Sequence, residues 1–95
     1  MDNKITEKCD EFRNKLDNTS ETIVEFDTTD FEATLSHSPQ ENIVEIFVIP
    51  SDFQFSSGKK IIENITNELD CQYKGIKSSD TGECVEFKTS VNWKQ

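Results

Sequence analysis

Glu25, Asp27, Asp30 and Glu32 crowd one short stretch of chain with no basic residue near them in sequence. Carboxylates at this spacing can ligate a metal ion, exchange protons, or present fixed negative charge. A calcium loop needs a glycine for its sharp turn and a defined loop length. Asp27-Thr28-Thr29-Asp30-Phe31-Glu32 has neither, so no metal site is expected. Proton exchange finds little support, since the lone His37 reads as a surface residue rather than a general base. Fixed charge remains.

The same four acids belong to a longer block. From Leu16 to Gly58 the chain carries Asp17, Glu21, Glu25, Asp27, Asp30, Glu32, Glu41, Glu45 and Asp52, and no Lys or Arg. Both flanks are balanced in sign, so this block accounts for the whole formal net charge of −9. Solubility alone, or adaptation to salt, would spread the acids over the chain. A one-sign block makes a directional field that draws a basic partner surface. The plain alternative is a set of solvated strand faces guarded by charge.

Catalysis finds little support. His37 is the one histidine, and Ser36-His37-Ser38-Pro39 reads as a surface turn. No Ser, Cys or Lys stands beside it in a nucleophile motif. Ser57-Gly58-Lys59-Lys60 lacks the first glycine of a phosphate-binding loop and follows no strand directly. It reads as a helix start with two exposed lysines. No cofactor is expected, and the charge sign argues against direct nucleic-acid binding. Cys9, Cys71 and Cys84 have no metal-ligand spacing and read as free thiols of a reducing cytoplasm, with a Cys71–Cys84 bridge as the alternative in a secreted chain.

The elements that must position these residues follow from periodicity. Ninety-five residues suit one domain, 1–95, with seven Phe and nine Ile to fill a core. The opening MDNKITEKCDEF is charged, so no signal peptide is expected, and no apolar run reaches the ~20 residues of a membrane span. Ile5, Cys9, Phe12 and Leu16 make a helical stripe, with Asp2 or Asn3 as cap. TIVEFDT and FEATLS alternate apolar and polar residues and read as two strands joined at Thr28-Thr29-Asp30. SHSPQ reads as a turn. ENIVEIFVIP reads as a central strand, with Val44, Ile46 and Val48 on one face and Ile43, Phe47 and Ile49 on the other. Ser56 or Ser57 caps a helix over 59–70 with Ile61, Ile62, Ile65 and Leu69 buried. CQYKGIKS and ECVEFKTSVNW flank a hairpin turn at Ser79-Asp80-Thr81-Gly82. The order α-β-β-β-α-β-β predicts an α+β fold: a mostly antiparallel sheet of about five strands with two helices on one face.

Helices on one face leave the other face of the central strand open. Ile43, Phe47 and Ile49 are then candidates for a homodimer interface, unless Phe53, Phe55 or Trp93 folds over them. On the hairpin, Glu25 and Asp27 share a face, ~7 Å apart along the strand. Glu32 shares their phase at ~5 Å across the pair. Like charges opposed on a sheet are destabilising, so a fold that keeps them gains from the field. The gain expected is imitation of duplex DNA, which proteins read largely through Lys and Arg contacts to phosphate. An immunity protein that neutralises one basic nuclease toxin, and a scaffold domain with incidental acidity, are the alternatives.

The opening MDNKITEKCDEFRNKL helix, the base-free TIVEFDTTDFEATLSHSPQENIVEIF, the chain length and nine Lys to one Arg together resemble the Arn-type anti-restriction DNA mimics of T-even phages. The resemblance rests on size and charge, since such proteins share no motif. It implies a non-enzymatic homodimer in the cytoplasm of an infected bacterium. Its target would be a restriction endonuclease or another basic DNA-binding protein. Its contact set would be the acids Asp17, Glu21, Glu25, Asp27, Asp30, Glu32, Glu41, Glu45 and Asp52.

Overall fold

Seven elements build one sheet and a helical layer, in a computed structural model that describes residues 3–93. They are α1 (Asn3–Lys15), β1 (Thr22–Asp27), β2 (Phe31–Ser38), β3 (Ile43–Pro50), α2 (Phe55–Glu68), β4 (Lys77–Asp80) and β5 (Val85–Asn92). The strands form an antiparallel sheet in the order β1-β2-β3-β5-β4. This is the expected α+β fold, with β3 central.

Strand alternation decides the two faces. Val24, Phe26, Phe31, Ala33, Leu35, Val44, Ile46, Val48, Phe87 and Val91 point inward. They meet Ile5, Cys9 and Phe12 of α1 and Ile62 and Ile65 of α2 in one core. The register keeps this set in phase, with Val24 opposite Leu35, Leu35 opposite Ile46 and Val48 opposite Phe87. A slip of one residue in any pair would drive carboxylates into this core. Burying it supplies the main driving force of the fold.

Several local expectations need correction. The helix α2 begins at Phe55, before Ser56 and Ser57, and its N-cap is Gln54 on extended backbone. The reason lies upstream. Asp52 accepts hydrogen bonds from the Gln54 N–H at 3.0 Å and the Ser57 hydroxyl at 2.6 Å, which fixes the first turn without Ser56. Residues 71–76 form no strand, and β4 keeps only four exposed residues, Lys77 to Asp80. Thr81 closes the hairpin through its N–H to the Cys84 carbonyl at 3.1 Å, so the turn runs from Thr81 to Cys84, two positions later than expected. Of the two caps expected, Asp2 lies outside the described residues and Asn3 is already the first residue of α1.

His37 is a strand residue and is buried, at 2 % exposure, rather than a surface turn residue. The turn proper is Pro39 to Asn42. Asn42 adopts a left-handed backbone, φ 54°. Its Nδ2 donates to the Trp93 carbonyl at 2.6 Å, which turns its Oδ1 toward His37 Nε2 at 2.8 Å. His37 Nδ1 is buried without a hydrogen-bond partner among the described residues. No helix of the described residues is long and apolar enough to cross a membrane.

Candidate partner-binding face

The outer face of the sheet, away from the helices, carries the side chains that alternate with the core. Glu25 and Asp27 project from β1 and Glu32 from β2, all exposed. Asp27 stands directly opposite Glu32, and Glu25 opposite Thr34. The shared phase expected of these three acids is the arrangement found.

The apolar residues of β3 lie on this same face. Ile49 pairs with Glu32 and Phe47 with Thr34 across β2–β3. Ile43, Phe47 and Ile49 are partly buried. Phe53 and Phe55 do not cover them and remain 46 % and 52 % exposed. Phe55 instead rests edge-on against Phe87, centroids 5.5 Å apart. Trp93 packs on the helix side, edge-on to Phe12 at 6.3 Å. The acids and the apolar residues proposed for a dimer thus compete for one surface.

Together they form a basin of about 300 Å³ lined by Glu25, Asp27, Glu32, Phe47, Ile49 and Glu86. Glu86 comes from the charge-balanced tail of the sequence and was not in the expected set. The alternation Glu86-Phe87-Lys88 already puts Glu86 and Lys88 on the outer face. Only the pairing of β5 with β3 brings them beside Ile49 and Phe47.

Lys88 is the counter-charge that the tail delivers. Its Nζ lies 2.8 Å from Glu45 Oε2 and 5.2 Å above the Phe47 ring centroid. The other ion pairs of the described residues are local to α1, joining Lys8 and Lys15 to Glu11 and Arg13 to Asp10. Glu45 is therefore the one acid of the block in an ion pair among them. The pair is about 40 % exposed on each side, and such pairs contribute little to stability.

The remaining acids of the block sit elsewhere. Asp30 and Asp52 lie at one end of the sheet, where the Ser51 N–H donates to the Asp30 carbonyl at 2.8 Å. Both line a separate cleft that also holds Lys60. Two hydrogen bonds, first that of the Ser57 hydroxyl, hold the Asp52 carboxyl below its ordinary range. Asp17, Glu21 and Glu41 lie at the opposite end, in the α1–β1 connection and the β2–β3 turn. Asp17 accepts from the Thr19 hydroxyl and N–H at 2.7 and 2.8 Å, and these bonds lower its carboxyl likewise. The nine acids are thus split among one face and two ends.

No family model, curated protein or solved structure matches this chain.

The chemistry open to the face is ionic. Among the described residues no group of three or more His, Cys, Asp or Glu side chains is placed to hold a metal ion. All three cysteines are free, and Cys9 is buried. Its thiol is pushed up to about 12, chiefly by desolvation, so it is a poor nucleophile.

Proposed function

We propose that the protein is a non-catalytic acidic inhibitor that occupies the DNA-binding surface of a basic protein. One observation carries this reading: Glu25, Asp27, Glu32 and Glu86 converge on one rigid face, outside every ion pair of the described residues. Three antiparallel strands fix these carboxylates in place, so little ordering entropy is lost when a partner docks. A groove that binds phosphate through Lys and Arg can take the same carboxylates instead. By the resemblance in size and charge, the target is a restriction endonuclease or nucleoid protein in the cytoplasm of a bacterial host.

The test pairs capture with competition. Immobilised protein is offered host lysate at low and high salt, and bound proteins are identified. The reading requires that duplex DNA in excess displaces them. It also requires that Glu25→Gln, Asp27→Asn and Glu32→Gln combined release them. Partners that ignore both treatments would leave the acidity incidental, as in a scaffold domain.

A second reading is an immunity protein specific to one nuclease toxin. The apolar floor of Phe47 and Ile49 inside the carboxylate ring favours it, because a shaped hot spot needs a desolvated centre. A single tight partner, retained at high salt, would select this reading over the general mimic.

A further inference from the structure

Phe47 stands at the floor of the acidic basin, and the molecule already shows how its ring receives a cation. Lys88 faces Phe47 directly across the β3–β5 pair. It sets its ammonium 5.2 Å from the ring centroid and bonds Glu45 at 2.8 Å. The seat therefore has two parts, an aromatic ring and a carboxylate at its side. On the β2 flank of the same ring the carboxylates are more numerous. Glu25 lies beyond Thr34, Glu32 beside Ile49 and Asp27 opposite Glu32, while Glu86 closes the rim from the β5 side.

We propose that this face takes an arginine side chain of its partner, laid on Phe47 within that rim, and that Lys88 holds the ring in the free protein. This rests on the acidic-face reading and names the contact through which it works. Arginine fits better than lysine for physical reasons. Its guanidinium is planar, weakly hydrated and able to stack on an aromatic face while its fork donates to carboxylates. Five N–H donors can use acids that approach from different strands, where an ammonium has three. The aliphatic stem covers Ile49, which is otherwise left partly in water. A second copy of the chain is less suited, because its own carboxylates would meet this rim.

The test uses two fluorescein-labelled probes, nona-arginine and nona-lysine, and fluorescence anisotropy at two salt concentrations. The wild-type protein should bind nona-arginine more tightly than nona-lysine, by no more than the ~2- to 5-fold that a whole ring–cation contact is worth at an exposed site. Phe47→Leu should erase that preference yet leave salt-dependent binding of both peptides. Phe47→Tyr should keep the preference, which separates loss of the ring from loss of the fold. Lys88→Gln, by clearing the ring and Glu45, should tighten nona-arginine ~2- to 5-fold.

Equal affinities in the wild type, or a preference unmoved in Phe47→Leu, would overturn the arginine seat and leave the acidic-face reading standing. If neither peptide binds at low salt, both are lost. A wild-type dimer that Phe47→Leu dissociates in sedimentation would give the ring to a second copy instead and overturn the proposal.

Discussion

Asp27 and Glu32 stand face to face across β1–β2, two exposed carboxylates in register on the outer surface. Like charges so placed destabilise a sheet by roughly 0.2–1 kcal/mol. Asp27→Asn should therefore raise stability at low salt, and the midpoint of thermal unfolding should rise by a few degrees (roughly 4–8 °C per kcal/mol at this size). Salt screens the repulsion, so the gain should shrink as ionic strength rises. Binding of a basic partner should weaken in the same variant. A midpoint that stays put at low salt would mean that the two charges do not repel.

Gly58 carries the opposite lesson about α2. A Cβ added there would lie 2.9 Å from Phe87 Cγ and Cε2, closer than real contacts allow. Alanine at a helical glycine is ordinarily worth about 0.5–1 kcal/mol. Here Phe87 is 2 % exposed and the atoms met include Cγ at the root of its ring, so the ring has little room to yield. Overpacking of this kind costs about 1–3 kcal/mol. Gly58→Ala should lower the unfolding midpoint, and Gly58→Ala with Phe87→Leu should recover part of the loss. Urea melts of the single and double variants read both effects.

The fold was legible in the sequence because β1 and β2 alternate apolar and polar residues and β3 is the longest apolar run of the chain. TIVEFD, FEATLS and IVEIFVIP each bury every second residue, and the amphipathic helices have regular stripes. Partners distant in sequence were not legible. Nothing local tells that Lys88 crosses to Phe47 and Glu45, or that Glu86 joins the hairpin acids, since both depend on β5 pairing with β3. His37 was misread because Ser36 and Ser38 suggest a turn. It continues the inward phase of Phe31, Ala33 and Leu35 along β2, and Asn42 meets its ring at that end of the strand. Composition located the acidic block yet could not divide it. Turn geometry sends Asp30 and Asp52 to one end of the sheet and Asp17, Glu21 and Glu41 to the other.

Asn42 ties three segments together, and its loss should be costly. Its backbone N–H donates to the Ser38 carbonyl at 2.7 Å, and its carbonyl accepts from the Trp93 N–H at 2.9 Å. Its side chain serves His37 Nε2 and the Trp93 carbonyl. Asn42→Ala keeps the left-handed backbone at ~1–2 kcal/mol of strain. It also leaves His37 without a partner on either nitrogen, worth a further ~1–3 kcal/mol. Asn42→Gly removes the strain but not the second loss. Stability should therefore fall in the order wild type, Asn42→Gly, Asn42→Ala. Equal stabilities for the two variants would show that the backbone at 42 relaxes without cost.

Cys9 should make the fold sensitive to alkali. Its thiol is raised from 9.0 to about 12 by burial. Raised in the folded state, such a group adds full stability below the unfolded value and loses it as pH climbs toward the folded one. The window is thus roughly pH 9 to 12. Burial first, then its contact with Glu63, raises the Tyr73 hydroxyl, and burial raises the Cys71 thiol, so both contribute with the same sign. Comparison with Cys9→Ala isolates the Cys9 share. Between pH 9 and 11 the unfolding midpoint of the wild type should fall more steeply than that of the variant. At pH 8, iodoacetamide should label the partly exposed Cys71 and Cys84 in the native protein and reach Cys9 only in urea, as intact-mass measurement would show. Native labelling of Cys9 would mean that the α1 face opens far more readily than its buried contacts imply.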